Sequence, residues 1–408
     1  MTSTLATART LASDRLVGLD VARCLALLGM VATHVLTARG PDGDVALAQA
    51  IAGGRAAALF AVLAGVTLAL MTGRREPVAG RERAARSLGI AVRALLIALL
   101  GLYLGALGSG LAIILTYYGL LFLFGLPFVG LRAPALFTLT GVWLVVMPLI
   151  SQVVRPELPP RGFSSPTFDQ LAHPGQLLSE LMFTGYYPVL PWLAYLLAGM
   201  ALGRLDLTSR RVQVWITAAG ATLALVAFVV SRILTGPLGV AEYLAGSPGA
   251  PAATGPGLLQ EIAGGMFGTT PTGGPWEWML VVAPHSATPF DLAHTIGTSY
   301  LVIGASLLLV GLAPVGRRRV VAIAFGAGTM TLSLYTLHVV MRTPAVLPEE
   351  TPSSFPLHVV ALLTIGGLYV YGRRRGPLEW IVASTSARAA DRVRRSERGA
   401  GASPINVE

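Results

Sequence analysis

The sequence predicts an all-α, polytopic membrane protein of about ten transmembrane helices, with both termini cytoplasmic. Three observations predict it. The 408 residues are 54% hydrophobic and only 12% charged, with a mean hydropathy of +0.67, too apolar for an ordinary soluble domain. Apolar stretches long enough to cross a bilayer, about 20 residues each, recur along the chain. The basic residues, all of them Arg, cluster between those stretches.

The first stretch, 16–37, carries Arg23 and lacks a clean A-x-A site, so it is read as a retained span and not as a cleaved signal peptide. Further spans are expected near 47–71, 87–108, 110–130, 133–151, 186–203, 212–233, 292–313, 319–341 and 356–372, the fourth and fifth separated only by the short "GLPFVGLRAP". Arg-rich connections follow the second span ("GRREPVAGRERAAR"), the sixth ("GRLDLTSRR"), the eighth and the tenth (both "GRRR"), which puts those ends in the cytoplasm. The net charge of +10 is thereby explained by topology, and no nucleic-acid partner is expected. The organisation is then a cytoplasmic N-terminal tail (1–15), a transmembrane domain (16–375) and a basic cytoplasmic tail (376–408), read as solvated or headgroup-contacting. Two long segments, about 152–185 and 234–291, are expected outside. The second is Pro/Gly-rich and reads as mostly irregular, with Trp276 and Trp278 as interfacial anchors or a sugar-stacking platform. The single Cys24 excludes an intramolecular disulfide.

An ionisable group in hydrocarbon costs roughly 2.5–3.5 kcal/mol on insertion scales, yet the apolar runs carry several, and they sort by depth. Asp20 and Arg23 fall near the cytoplasmic end of the first span and His34 near its outer end. Residues 23, 27, 30 and 34 share one helical face, with Arg23 and His34 about 16 Å apart along it. Arg86 and Arg93 take inner positions on the third span. Arg55, His285, Asp291, His294 and His338 take outer ones, so four of the six His converge on the outer half. Guanidinium groups suit phosphates or another anion, and imidazoles with an Asp suit proton transfer near neutral pH. Each group also has a purely structural alternative: an Asp20–Arg23 ion pair, an interfacial His34, a loop-ending Arg86, an Arg55 paired with Asp44 or Asp291, and core histidines at 294 and 338.

The stretch "RLVGLDVARCLALLGMVATH" resembles the opening of the heparan-α-glucosaminide N-acetyltransferase-like family, within a broader group of transmembrane acyltransferases. "GRAAALFAVLAGVTLAL", "ILTYYGLLFLFGLPF", "TGYYPVLPWLAYLLAGMALGRLDL", "PFDLAHTIGTSYLVIGASLLL" and "GAGTMTLSLYTLHVV" look like motifs of its bacterial relatives, and the resemblance spans most of residues 15–372. It implies transfer of an acyl group, usually acetyl from cytoplasmic acetyl-CoA, to an extracytoplasmic sugar or glycan. Arg23 matches the family's first-span Arg, and His34 resembles the reactive His of the broader pattern. Arg86 and Arg93 are similar to the third-span Arg pair, at a wider spacing. A heparan substrate is not carried over.

The expected function is therefore membrane-embedded acyl transfer at the plasma membrane, with acetyl-CoA as donor co-substrate and no metal. Arg23, Arg86 and Arg93 would bind the donor, and His34, His294, His338 and Asp291 would carry the chemistry. Arg55, Tyr186, Tyr187 and Trp276 would contact the acceptor. The rival reading is a proton-coupled transporter or flippase of an anionic lipid or solute, which paired broken helices would mark. A non-catalytic scaffold is the third.

Overall fold

The computed structural model describes residues 16–162, 165–347 and 351–400, with side chains to residue 395. The expected 1–15 tail and the last residues of the basic tail lie outside the described residues. Those described are helical with no strand, and a lone bridge pairs Arg39 with Val45.

In chain order the helices are α1 (Val17–Val35), α2 (Leu47–Ala52), α3 (Arg55–Met71), α4 (Gly80–Gly105), α5 (Leu115–Gly125), α6 (Ala133–Val154), α7 (Pro174–Ser179) and α8 (Val189–Gly203). They continue with α9 (Arg210–Thr235), α10 (Val240–Ala245), α11 (Gly255–Ala263), α12 (Pro289–Leu312), α13 (Val315–Ala324), α14 (Thr331–Met341), α15 (Phe355–Tyr371) and α16 (Pro377–Ala400). Several starts are written locally. Proline opens α12 and α16, where its missing N–H costs nothing. The Thr288 hydroxyl accepts the Asp291 N–H at 3.1 Å and caps α12.

Among the described residues seven helical segments are long and apolar enough to cross a membrane, and an eighth arises if the bent pair Pro174–Thr184 and Val189–Gly203 (50°) is taken as one. This is a multi-pass membrane protein. Two expected spans are shorter than a bilayer: 110–130 is realised as Leu115–Phe128, and 319–341 is broken. The break falls at Gly326–Thr329, between α13 and α14, where the chain wedges between α1 and α15. A Cβ on Gly328 would lie 1.8 Å from the Asp20 carbonyl oxygen, and one on Gly326 2.4 Å from that of Gly366. Close backbone passage, which small residues permit, therefore sets the break.

The same device joins α3 to α8, where a Cβ on Gly199 would meet the Val62 carbonyl oxygen at 1.8 Å. Arg204, just beyond α8, donates to the carbonyls of Ala69, Arg74 and Val129 at 2.9, 2.8 and 2.6 Å. A residue read from sequence as a topology signal thus also sews three chain turns together.

Two segments differ from expectation. The 234–291 region is irregular over more than half its length, as expected, yet α10 and α11 pack with Trp278, Met279 and Val281 into a small second core. Trp278 is fully buried there, so it is no interfacial anchor, whereas Trp276 is 54% exposed. Arg155 ties this unit to α6 through Thr270, donating to its carbonyl at 2.6 Å and its hydroxyl at 2.8 Å. The described part of the C-terminal tail, expected to be solvated or headgroup-contacting, is a helix docked on α4. The Arg394 guanidinium grips Glu82 at 2.8 Å, and a Cβ on Gly89 would already touch the Ser386 carbonyl oxygen at 3.0 Å.

Candidate functional site

The polar face of α1 borders two cavities. At its C-terminal end His34 lines a cavity of about 770 Å³, together with Tyr117, Arg161, Glu180, Tyr186, His285 and Arg342. At its N-terminal end Asp20 and Arg23 line one of about 320 Å³, with Arg93, Tyr118, Tyr335 and Glu379. Met30, on the same face, belongs to both linings. The spacing 23–27–30–34 thus places a guanidinium and an imidazole on one continuous ridge with a chamber at each end.

In the smaller cavity Arg23 donates to Asp20 at 3.1 Å and to the Thr67 hydroxyl at 2.9 Å. Arg93 lies on α4 across from it, and its buried Nε makes no hydrogen bond among the described residues. The broken ninth span aims the N-terminus of α14 at the same place. Its Leu332 and Ser333 N–H groups donate to the Glu379 carboxylate of α16 at 2.8 and 3.1 Å. The start of α14 is thereby occupied by Glu379, and the two guanidinium groups are what make this chamber attractive to anions. Arg86 is elsewhere. It bonds Glu82 at 2.6 Å and the Met71 carbonyl at 2.7 Å, outside this lining.

In the larger cavity His34 is the end of a chain of imidazoles. His34 Nδ1 lies 3.1 Å from His338 Nε2, and His338 Nδ1 lies 3.1 Å from His358 Nδ1. His338 and His358 are fully buried. Each contact needs one proton, so the three tautomers are linked. If His34 donates from Nδ1, its Nε2 lone pair is left for the cavity, His338 donates from Nδ1 to His358 Nδ1, and His358 carries its proton on Nε2. The rings bond one another instead of converging on a point, and among the described residues no group of three or more His, Cys, Asp or Glu is arranged to hold a metal.

Other expected residues lie apart. Arg55 Nε donates to His294 Nε2 at 3.1 Å, and His294 Nδ1 then donates to the Ala224 carbonyl at 3.0 Å, so both imidazole nitrogens are engaged. Asp291 is buried and accepts the Ala287 N–H at 3.1 Å, bracing the start of α12. Arg55, Asp291, His294 and Trp276 are absent from the larger cavity's lining. Tyr186 and Tyr187 both line it, Tyr187 buried with its hydroxyl on the Ala112 carbonyl at 3.3 Å.

The sequence reading passed over His358, Arg161, Glu180 and Glu379. His358 had a legible signal, since it stands in the first turn of the last span, at the end where the other His collect. The remaining three come from loops, or from helices read as tails, whose approach to the cavities only tertiary structure sets. His285 was read as an outer-half residue but given no role; burial pushes its imidazole down to about 4, so it is neutral at physiological pH.

No curated protein matches the chain. The sequence model of the family described as "Heparan-alpha-glucosaminide N-acetyltransferase, catalytic" matches residues 15–235, which include Arg23, His34, Arg93, Tyr186 and Tyr187. Membership implies a membrane enzyme of acetyltransferase type. With a match over more than half its length, from the start of α1 to the end of α9, the chain belongs to the heparan-alpha-glucosaminide N-acetyltransferase catalytic family.

Proposed function

We propose that the protein moves an acyl group, acetyl in the first instance, from acyl-CoA to an extracytoplasmic sugar or glycan at the plasma membrane. The observation that carries this reading is the pair of cavities meeting at Met30 on the Arg23–His34 face of α1. Arg23 and Arg93 bind donor phosphates at the cytoplasmic side, without Arg86, whose side chain is engaged by Glu82 and the Met71 carbonyl. The acyl arm follows the ridge past Met30 to His34.

There an acceptor hydroxyl or amine attacks the thioester carbonyl while His34 Nε2 takes its proton. The carbon–sulfur bond breaks, and the leaving thiolate receives a proton from the imidazolium. His338 holds His34 in the tautomer that leaves Nε2 open, and His358 does the same for His338. Arg342, in the same lining, is placed to stabilise negative charge on the carbonyl oxygen. Arg55, Asp291 and His294 support the acceptor side from behind. The acceptor enters over Tyr186.

The purified protein in liposomes, given labelled acetyl-CoA and a sugar, should acetylate the sugar. Normal turnover by His34→Ala would defeat the assignment of the base. A second reading, a proton-coupled transporter, draws on the break at Gly326–Thr329 and the bend at Thr184–Val189. Flux of an anionic solute with a proton, independent of CoA, would favour it.

A further inference from the structure

His285 stands on the opposite wall of the His34 cavity, and the fold holds it at a cost. Its φ is +59°, a left-handed conformation uncommon for any residue but Gly, though His adopts it more readily than most. Its Nδ1 is buried without a hydrogen bond among the described residues. Around it stand aromatic rings: Tyr186 at 4.7 Å, Tyr187 at 5.7 Å and Trp192 at 6.3 Å between centroids, the last nearly parallel. Unmet polar groups and strained backbone are both disfavoured, and where they persist together they mark function more often than architecture.

With Nδ1 sealed among the rings, Nε2 is the atom left to the cavity, since the His285 side chain forms no hydrogen bond among the described residues and the residue is only partly covered. Beside it the half-buried Tyr186 presents its ring, flanked edge-on by Phe267 at 6.2 Å, and Arg161 stands 5.1 Å over that phenyl ring. Glu180 lines the same wall. A flat aromatic face with a neutral imidazole, a carboxylate and a guanidinium around it matches a hydroxylated ring. The apolar C–H side of a sugar lies on the aromatic face, and its edge needs donors and acceptors.

We propose that this wall is the acceptor's sugar subsite, in which Tyr186 stacks the pyranose ring and His285 Nε2 hydrogen-bonds one of its hydroxyl or amino groups. This rests on the acyl-transfer reading and adds the wall and the residue that recognise its acceptor. His285 is a binding residue here; His34 remains the base.

The test uses the full chain in nanodiscs, with D-glucosamine and D-glucose as probes, and the variants His285→Phe and His285→Gln. Phenylalanine keeps the ring and removes both nitrogens, including the unmet Nδ1, whereas glutamine returns a hydrogen-bonding group near the Nε2 position. His285→Phe should unfold at the same or a higher temperature, because an unsatisfied polar atom is replaced by an apolar one of similar shape. It should also weaken sugar binding about tenfold, read from tryptophan fluorescence, and raise the sugar KM by about the same factor. His285→Gln should recover most of that affinity, and the KM for acetyl-CoA should move by less than about twofold in both.

A His285→Phe protein that is less stable yet binds sugar normally would assign His285 to architecture and overturn the proposal. So would a wild-type protein whose fluorescence responds to neither sugar. The two readings fail separately. Loss of the sugar response in His285→Phe, in a protein that never transfers acetyl, would leave the subsite standing and remove the acyl-transfer reading. Acetyl transfer to sugar with unchanged sugar KM in His285→Phe would do the reverse.

Discussion

His34 Nδ1 lies 3.1 Å from His338 Nε2, with the two rings within 10° of parallel. The contact commits one nitrogen of His34 inside the protein and leaves the other for the cavity. His338→Gln should therefore lower kcat by about 10- to 100-fold with little change in either KM, below the 10²- to 10⁴-fold expected for loss of the base itself in His34→Ala. Equal losses at the two positions would mean that both imidazoles touch substrate. His358→Phe, one step further along, should fall between wild type and His338→Gln. Initial rates at saturating acetyl-CoA and sugar decide the order.

On the donor side, CoA should raise the thermal stability of the detergent-solubilised protein. Arg93→Ala and Arg23→Ala should abolish that shift, while Arg86→Ala, whose side chain is already engaged by Glu82 and the Met71 carbonyl, should keep most of it. Arg93→Ala is the cleaner of the two cavity variants. Its Nε has no hydrogen bond to lose among the described residues, so the fold should tolerate its removal.

Gly328→Ala should be severely destabilising, by several kcal/mol, because its Cβ would fall 1.8 Å from a backbone oxygen of α1 and neither chain can give way cheaply. Gly316→Ala, with open space around the site, should be neutral or slightly stabilising. The yield of monodisperse protein and its unfolding temperature report both.

The pH dependence of stability has a defined sign at His285. Its imidazole is pushed by burial to about 4 in the folded state, against about 6.5 in an unfolded chain. As pH falls from 6.5 toward 4 the unfolded chain takes up the proton first, so stability is lost in that window and is level above it. The difference in unfolding temperature between His285→Phe and wild type should therefore widen from pH 7 to pH 4.5. A constant difference would show that His285 is not held neutral by its surroundings.

Much of the fold was legible because a bilayer imposes simple rules: length, apolarity and the placement of Arg mark most of the membrane-crossing helices without any knowledge of their packing. Those rules failed at Leu115–Phe128 and at Gly326–Thr329, where the run of apolar residues continues but the helix does not. Glycine tolerates both outcomes, and at Gly326–Thr329 the neighbouring backbone of α1 and α15 chooses between them. The α1 face from Arg23 to His34 could be read from spacing alone. Grouping His294 and Asp291 with His34 could not be checked that way: depth along the membrane says nothing about azimuth around the bundle. His294 turns toward α9 and Arg55, while His338 and His358 turn toward α1. The docking of the amphipathic α16 on α4 went unread because its Arg residues conceal an apolar edge that fits α4.

Met30 is the residue that borders both chambers. At that level a flexible thioether side chain faces both cavities, a group able to swing aside more readily than a branched or aromatic one. On the proposed acyl transfer, the bulky ends of donor and acceptor each keep to their own chamber, and only the slender acyl arm has to pass that thioether.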